Sequence, residues 1–187
     1  MITNFTRETI IAANVDRQLK AWRAEFVKKI ETMIIEKVLL SSLFGTNPKL
    51  AKEYGTTEVT IDFQRNGNGK ELVDFMSYDA KKDIFRCYEI KVTIEDFRSK
   101  AKKSWYGNYN YLVMSQELYK KQSLAAWKDE LPEDVGLIVI DPITADKSMV
   151  VKAKYREIPQ ESKDMLKNSL IRTLFYQNQK ENWYLRK

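Results

Sequence analysis

Histidine is absent from the 187 residues, and cysteine occurs once, at Cys87. The first absence removes Ser-His-Asp and Cys-His nucleophilic centres, which need an imidazole to take the proton. With almost no cysteine either, a zinc site of the usual Cys/His kind is excluded. A resident cation would have to be held by Asp and Glu oxygens, which suits magnesium, manganese or calcium. A lone cysteine closes no internal disulfide, in keeping with a reducing compartment. Cys87 shares a strand face with Glu89, but with nothing to activate its thiol it reads as a small packed side chain. No apolar run approaches the roughly 18 to 20 residues of a bilayer crossing. The opening segment, MITNFTRETI, lacks the parts of a secretory signal, so the expected location is the cytoplasm.

What is present fits a globular chain: 43% of residues are apolar and 31% charged. That length and balance predict a single domain of mixed type, with a core over about 15–155 and a helical extension over about 156–187. There are no internal repeats, low-complexity tracts or evident linkers. The net charge is +6, and most of it gathers in residues 81–103, where eight basic residues face four acidic ones. Such a run is either a solvated helix face or a surface for a polyanion.

Residues 15–43 carry Leu19, Trp22, Phe26, Ile30 and Met33 at three- and four-residue spacing, the pattern of a long helix burying that stripe. TTEVTIDF, 56–63, alternates as a first strand, and RNGNGK, 65–70, is a turn. ELVDFMSYD is the second strand, AKKD the next turn and IFRCYEIKV the third strand. A helix is expected from Ile94 to about Ser104, with Thr93 as its N-cap and Asp96 in its first turn. NYLVMS is a short strand, 116–128 a helix, GLIVID and MVVKAKY two more strands, and 160–180 a last helix.

Within YEIKV, Glu89 and Lys91 point away from the apolar residues between which they sit. If the hairpin closes on the four-residue loop Ala80 to Asp83, Asp79 faces Ile84 and Asp74 faces Glu89. Opposed residues of an antiparallel pair lie about 5 Å apart on one face, where two carboxylates repel unless something positive stands between them. A divalent cation removes that penalty, and magnesium readily takes one or two carboxylates, a backbone carbonyl and water. Lys91 returns to the same face, where its ammonium can orient or help deprotonate a water and neutralise charge developing on a phosphate. A slip of one residue in register would dissolve the site.

Asp74, fourteen residues, then Glu89-Ile90-Lys91, on adjacent strands behind a helix and before a basic segment, resembles the PD-(D/E)XK nuclease superfamily. IKVTIEDFRSKAKKSWYGNYNYLVMSQELYKK with LPEDVGLIVID is similar to its MmcB-like and phage-encoded nuclease-fold branch, over about residues 56–155. The resemblance implies an α/β fold with a restriction-endonuclease-like core (αβββαβ), a mixed sheet flanked by helices, and an extra C-terminal strand and helix. It implies a magnesium- or manganese-dependent deoxyribonuclease, an endonuclease rather than an exonuclease, serving repair, recombination or phage DNA processing. The alternative is a catalytically weak or inactive DNA-binding accessory protein on the same fold.

Carried over by position, Asp74 and Glu89 are metal ligands, the Ile90 carbonyl a third, and Lys91 the catalytic lysine. Lys102 would contact phosphate, with Arg98, Lys100 and Lys103 beside it on the DNA face. The superfamily's Pro-Asp dipeptide is Val73-Asp74 here. A first-helix glutamate would come from Glu25, Glu31 or Glu36, of which Glu36 is favoured. Trp105 and Tyr106, placed in a loop, are better candidates for stacking on unpaired bases than Tyr109 and Tyr111, which read as core. Lys120 and Lys121 read as solvated. Trp183 and Tyr184 pack back on the body or meet a second subunit, which leaves a homo-oligomer open.

Overall fold

The computed structural model describes residues 7–44, 51–63, 71–99 and 105–184. A long helix, α1 (Arg7–Phe44), leads into three antiparallel strands, β1 (Tyr54–Ile61), β2 (Glu71–Asp79) and β3 (Ile84–Lys91). A short helix, α2 (Ile94–Phe97), carries the chain to β4 (Tyr109–Ser115), which lies parallel to β3. Two further short helices, α3 (Gln116–Tyr119) and α4 (Leu124–Asp129), precede β5 (Val135–Ile140), parallel to β4. The antiparallel edge strand β6 (Lys147–Val151) and the helix α5 (Gln160–Tyr184) complete the order. The six strands form one sheet in sequence order. This mixed sheet flanked by helices is the α/β architecture expected, consistent with a restriction-endonuclease-like fold.

Alternation in the strands sends side chains to both faces. On one face Phe75, Tyr88, Ile90, Tyr111 and Val113 pack with Ile35 and Leu39 of α1. On the other, Val59, Ile61, Met76, Phe85 and Cys87 pack with Ile158, Leu166 and Leu170, which fixes α5 against β1 and its neighbours. Trp127 of α4 anchors a third cluster with Phe97, Leu112, Met114 and Leu137. Gly55 lets α1 close on the sheet, because a Cβ there would stand 2.7 Å from Leu43 Cδ1.

The long helix differs from expectation in what its apolar stripe meets. Leu19, Phe26, Ile30 and Met33 are between 40% and 52% exposed, while among the described side chains of the helix the buried ones are Ile35 and Leu39. The reason is length. A 38-residue helix is about 57 Å long, whereas the longest strand, of nine residues, spans about 30 Å. Only the C-terminal part of α1 therefore lies over the sheet. The helix expected over 116–128 is broken after Tyr119, where Ser123 starts α4 by accepting from the Ala126 N–H at 3.2 Å. The helix expected from Ile94 to about Ser104 ends at Phe97, where Arg98 is its C-cap and the chain turns. The turn at 65–70, Lys100, Lys102 and Lys103, and the side chains of Trp22, Glu25, Trp183 and Tyr184 lie outside the described residues.

Candidate active site at the open end of the hairpin

The β2–β3 hairpin closes as its sequence predicts. Asp79 pairs with Ile84, and the same register runs to Phe75 opposite Tyr88. The turn is held by Asp79, whose Oδ1 accepts from the N–H groups of both Lys81 and Lys82 at 3.1 Å. Asp83 completes it with a left-handed backbone, φ 56°, a conformation that aspartate tolerates better than most residues.

Beyond Phe75 the regular ladder stops. Continued one step, the register would set Asp74 opposite Glu89; instead the Asp74 carboxylate enters the gap, and its Oδ2 accepts from the Ile90 N–H at 2.7 Å. Its other neighbour yields at the same place. β1 pairs Thr57 with Phe75 and Val59 with Val73 but skips Glu58 and Asp74, and Glu58 has φ 55° in mid-strand. A left-handed glutamate inside a strand is strained, at a cost of order 1–3 kcal/mol. Two ladders thus open around one aspartate.

Lys91 lies beside this opening, with 8% of its side chain exposed. Its Nζ is 2.9 Å from Glu89 Oε1 and 3.8 Å from Asp96 Oδ1. Burial pulls its pKa down, but Glu89, Asp74 and Asp96 outweigh burial and leave it above its ordinary value. Lys91 is therefore an ammonium at neutral pH, suited to stabilising negative charge and not to taking a proton. Asp96 reaches the site because Thr93 caps α2: the Thr93 Oγ1 accepts from the Asp96 N–H at 3.2 Å.

The carboxylates around Asp74 are short of positive charge. Burial raises the Asp74 pKa, Asp96 and Glu58 add to the shift, and the Ile90 N–H and Lys91 only partly offset it. Glu36 on α1 is pushed up to about 7, first by burial and then by the charges of Glu58 and Asp74. Between the described glutamates Glu31 and Glu36, Glu36 is thus the one that senses Asp74. Glu31 is raised by burial and by Glu117, which places it toward α3.

These donors are hard oxygens, matched to magnesium, manganese or calcium. Their mutual repulsion is of the kind a divalent cation relieves. Among the described residues, no three acidic side chains stand close enough to hold an ion by themselves. Asp74 and Glu89 have Lys91 in common, which senses both carboxylates.

Other candidates take structural places. Arg98 is held by Glu130 at 3.2 Å. Trp105 packs against the cluster around Phe97 and Trp127, and Tyr106 packs against the α5 side of the sheet. Burial, with a hydrogen bond to Glu71, pushes the Tyr106 pKa up to about 12. Both loop aromatics are partly buried against the protein body. Lys120 pairs with Glu117 at 3.4 Å. Cys87 is fully buried and its thiol is pushed up to about 12, which makes it inert.

Comparison with known proteins adds a family. Residues 64–175 match the model of the family described as DNA repair protein MmcB-like, well over half of the chain. The chain belongs to the MmcB-like DNA repair protein family. The matched stretch contains Asp74, Glu89, Ile90, Lys91 and Asp96, and it begins after Glu36 and Glu58. The fold is also similar to that of a protein of unknown function from Silicibacter pomeroyi, with a TM-score of 0.52 and 18% identity over 75% of this chain and 86% of that one. No curated protein matches. No described helix is long and apolar enough to cross a membrane.

Proposed function

We propose that this MmcB-like chain acts on DNA as a metal-dependent nuclease of the PD-(D/E)XK type, hydrolysing phosphodiester bonds at the open end of the β2–β3 hairpin. The observation that carries the reading is the opening of two strand ladders around Asp74, beside the buried ion pair of Lys91 with Glu89.

In this reading Asp74 and Glu89 hold magnesium or manganese, with the Ile90 carbonyl as a further oxygen donor. When bound, the cation supplies Lewis acidity and an activated water. The Ile90 N–H fixes the Asp74 carboxylate so that its free oxygen keeps one direction. Lys91, charged and nearly dehydrated, stabilises the negative charge that grows on the phosphate, an interaction worth far more in such surroundings than in water. Glu36, with a pKa close to neutrality, is suited to receive or release a proton at the edge of the site. Asp96 keeps Lys91 in place.

The test is a cleavage panel of plasmid, single-stranded and branched DNA with manganese, run on wild type, Asp74→Ala and Lys91→Ala. Cleavage that survives both substitutions sinks the proposal. Binding without cleavage in any metal assigns the chain to the accessory role instead. A second readout is independent of turnover: magnesium should raise the melting temperature of wild type and leave that of Asp74→Ala unchanged.

A further inference from the structure

Beside the open ladder, on the outer edge of the sheet, β1 and α5 enclose a cavity of about 350 Å³ lined by Glu58, Thr60, Phe63, Leu72, Arg172 and Tyr176. Glu58 is the wall shared with the candidate active site, since it stands at the skipped ladder position beside Asp74. The cavity lies at the lower end of the range for small-ligand sites, about 300–1,000 Å³.

Its lining has a particular chemistry. The Arg172 guanidinium lies 3.0 Å from the centre of the Phe63 ring and 5.2 Å from that of Tyr176. Arg172 makes no salt bridge among the described residues, and Glu58 is the acid in the lining of the same cavity. Leu72 and Tyr176 are each about half exposed, at 49% and 53%. Gln177 is already committed, with its Nε2 donating to the Thr57 carbonyl at 3.1 Å and its Oε1 accepting from Thr56. What is left is a cavity lined by one guanidinium, two aromatic rings and the carboxylate of Glu58, with Thr60 and Thr173 also in its lining.

We infer that this cavity takes an unpaired base of the DNA strand whose backbone passes Asp74. Phe63 already covers one face of the Arg172 guanidinium, and the half-exposed ring of Tyr176 beside it is a surface on which a base stacks irrespective of its identity. Hydroxyl groups at the rim can donate or accept, so they impose no base code. A paired base is already stacked and cannot enter a pocket of this depth without leaving its partner. On the far side of Arg172 and Phe63 lies a second depression lined by Asp62, Glu161 and Asp164, whose charges repel phosphate. The substrate class that follows is DNA with a single-stranded segment at or beside the reacting phosphate: a gap, a flap, a fork or a free strand.

The inference rests on the DNA-directed reading above, and its test uses binding in chelator, so that it does not depend on hydrolysis. Fluorescence anisotropy compares a fully paired duplex with a gapped duplex, for wild type, Arg172→Ala, Arg172→Lys and Tyr176→Ala. Loss of one stacked base corresponds to about 10-fold weaker binding. That loss is expected for the gapped DNA with Arg172→Ala and Tyr176→Ala, with duplex binding changed less than about 2-fold. Arg172→Lys keeps the charge but not the plane, so it should fall between. A 2-aminopurine placed in the gap should be quenched by wild type and not by Tyr176→Ala. Tyr176 is half exposed, so its variant keeps the test decisive if Arg172→Ala fails to fold.

Equal losses on both DNAs, unchanged quenching in Tyr176→Ala, or no binding of gapped DNA by wild type would each overturn the inference. Base-dependent binding without cleavage in manganese would leave the cavity standing and remove the hydrolytic reading. Cleavage that is indifferent to Arg172 and Tyr176 would do the reverse.

Discussion

The two ends of the β2–β3 hairpin place acids and lysines together in opposite balance. At the closed end, Asp83 is met by Lys163 at 3.0 Å, by Lys167 at 2.7 Å and by the Tyr78 hydroxyl at 2.9 Å. Those donors hold its carboxyl well below the usual carboxylate range. At the open end, Lys91 is shared between Glu89 and Asp96, while Asp74 and Glu36 are raised. The closed end ties α5 to the hairpin and gains stability from its charges. The open end loses stability by its charges, and groups kept in that state are the commoner mark of a functional site.

The largest expected effect separates the two ends by activity. Asp74→Asn should lower DNA cleavage on the order of 100-fold or more, the scale for losing one preorganised electrostatic contact. Asp83→Asn, measured in the same assay below its melting temperature, should stay within about 2-fold of wild type. Similar losses in both would erase the contrast.

The next effect is on stability, with a sign that differs between the ends. Glu36 has a folded pKa of about 7 against 4.5 for the free group, so the folded chain binds more protons than the unfolded one between those values. Stability contributed by this group therefore falls as pH rises through that window. Glu36→Gln should raise the stability of the metal-free chain at pH 8 by about 1–2 kcal/mol, after a discount for partial exposure, and the gain should vanish below about pH 4.5. Thermal melts across pH in chelator measure it.

Asp83 behaves in the other direction. Its folded pKa is depressed, so its contribution is present above the unfolded value near 3.8 and is lost as pH falls below it. Asp83→Asn should cost about 1 kcal/mol at neutral pH, a drop of about 2–4 °C in melting temperature, because the pairs are partly solvated. The smallest effect belongs to Lys167→Met, since Lys163 and Tyr78 continue to hold Asp83; a loss equal to that of Asp83→Asn would mean that Lys167 alone carries the clamp.

The hairpin register was legible because the alternation of ELVDFMSYD and IFRCYEIKV leaves AKKD as the only tight turn between them, and the turn then determines which residues face each other. Between the two described first-helix glutamates, Glu36 is the one whose carboxyl feels Glu58 and Asp74, a distinction that spacing along α1 does not make by itself. Glu58 was not legible, since a glutamate in an alternating strand gives no sign that its backbone will turn left-handed. Asp96 read as an ordinary first-turn acid, and its contact with Lys91 depends on the angle at which Thr93 starts α2. The stripe on α1 was visible as a stripe, but periodicity says only which face of a helix is apolar. Whether anything lies opposite depends on how far the sheet extends.

The four-residue turn at Ala80–Asp83 acts as a ruler for chemistry at the far end of the strands. Every pair from Asp79 and Ile84 to Phe75 and Tyr88 is counted from it. One residue inserted there would shift β3 by a single step and turn Glu89 and Lys91 to the α1 side, with no atom near Asp74 altered directly. The spacing of a loop that touches nothing reactive is therefore as much a part of this site as its carboxylates.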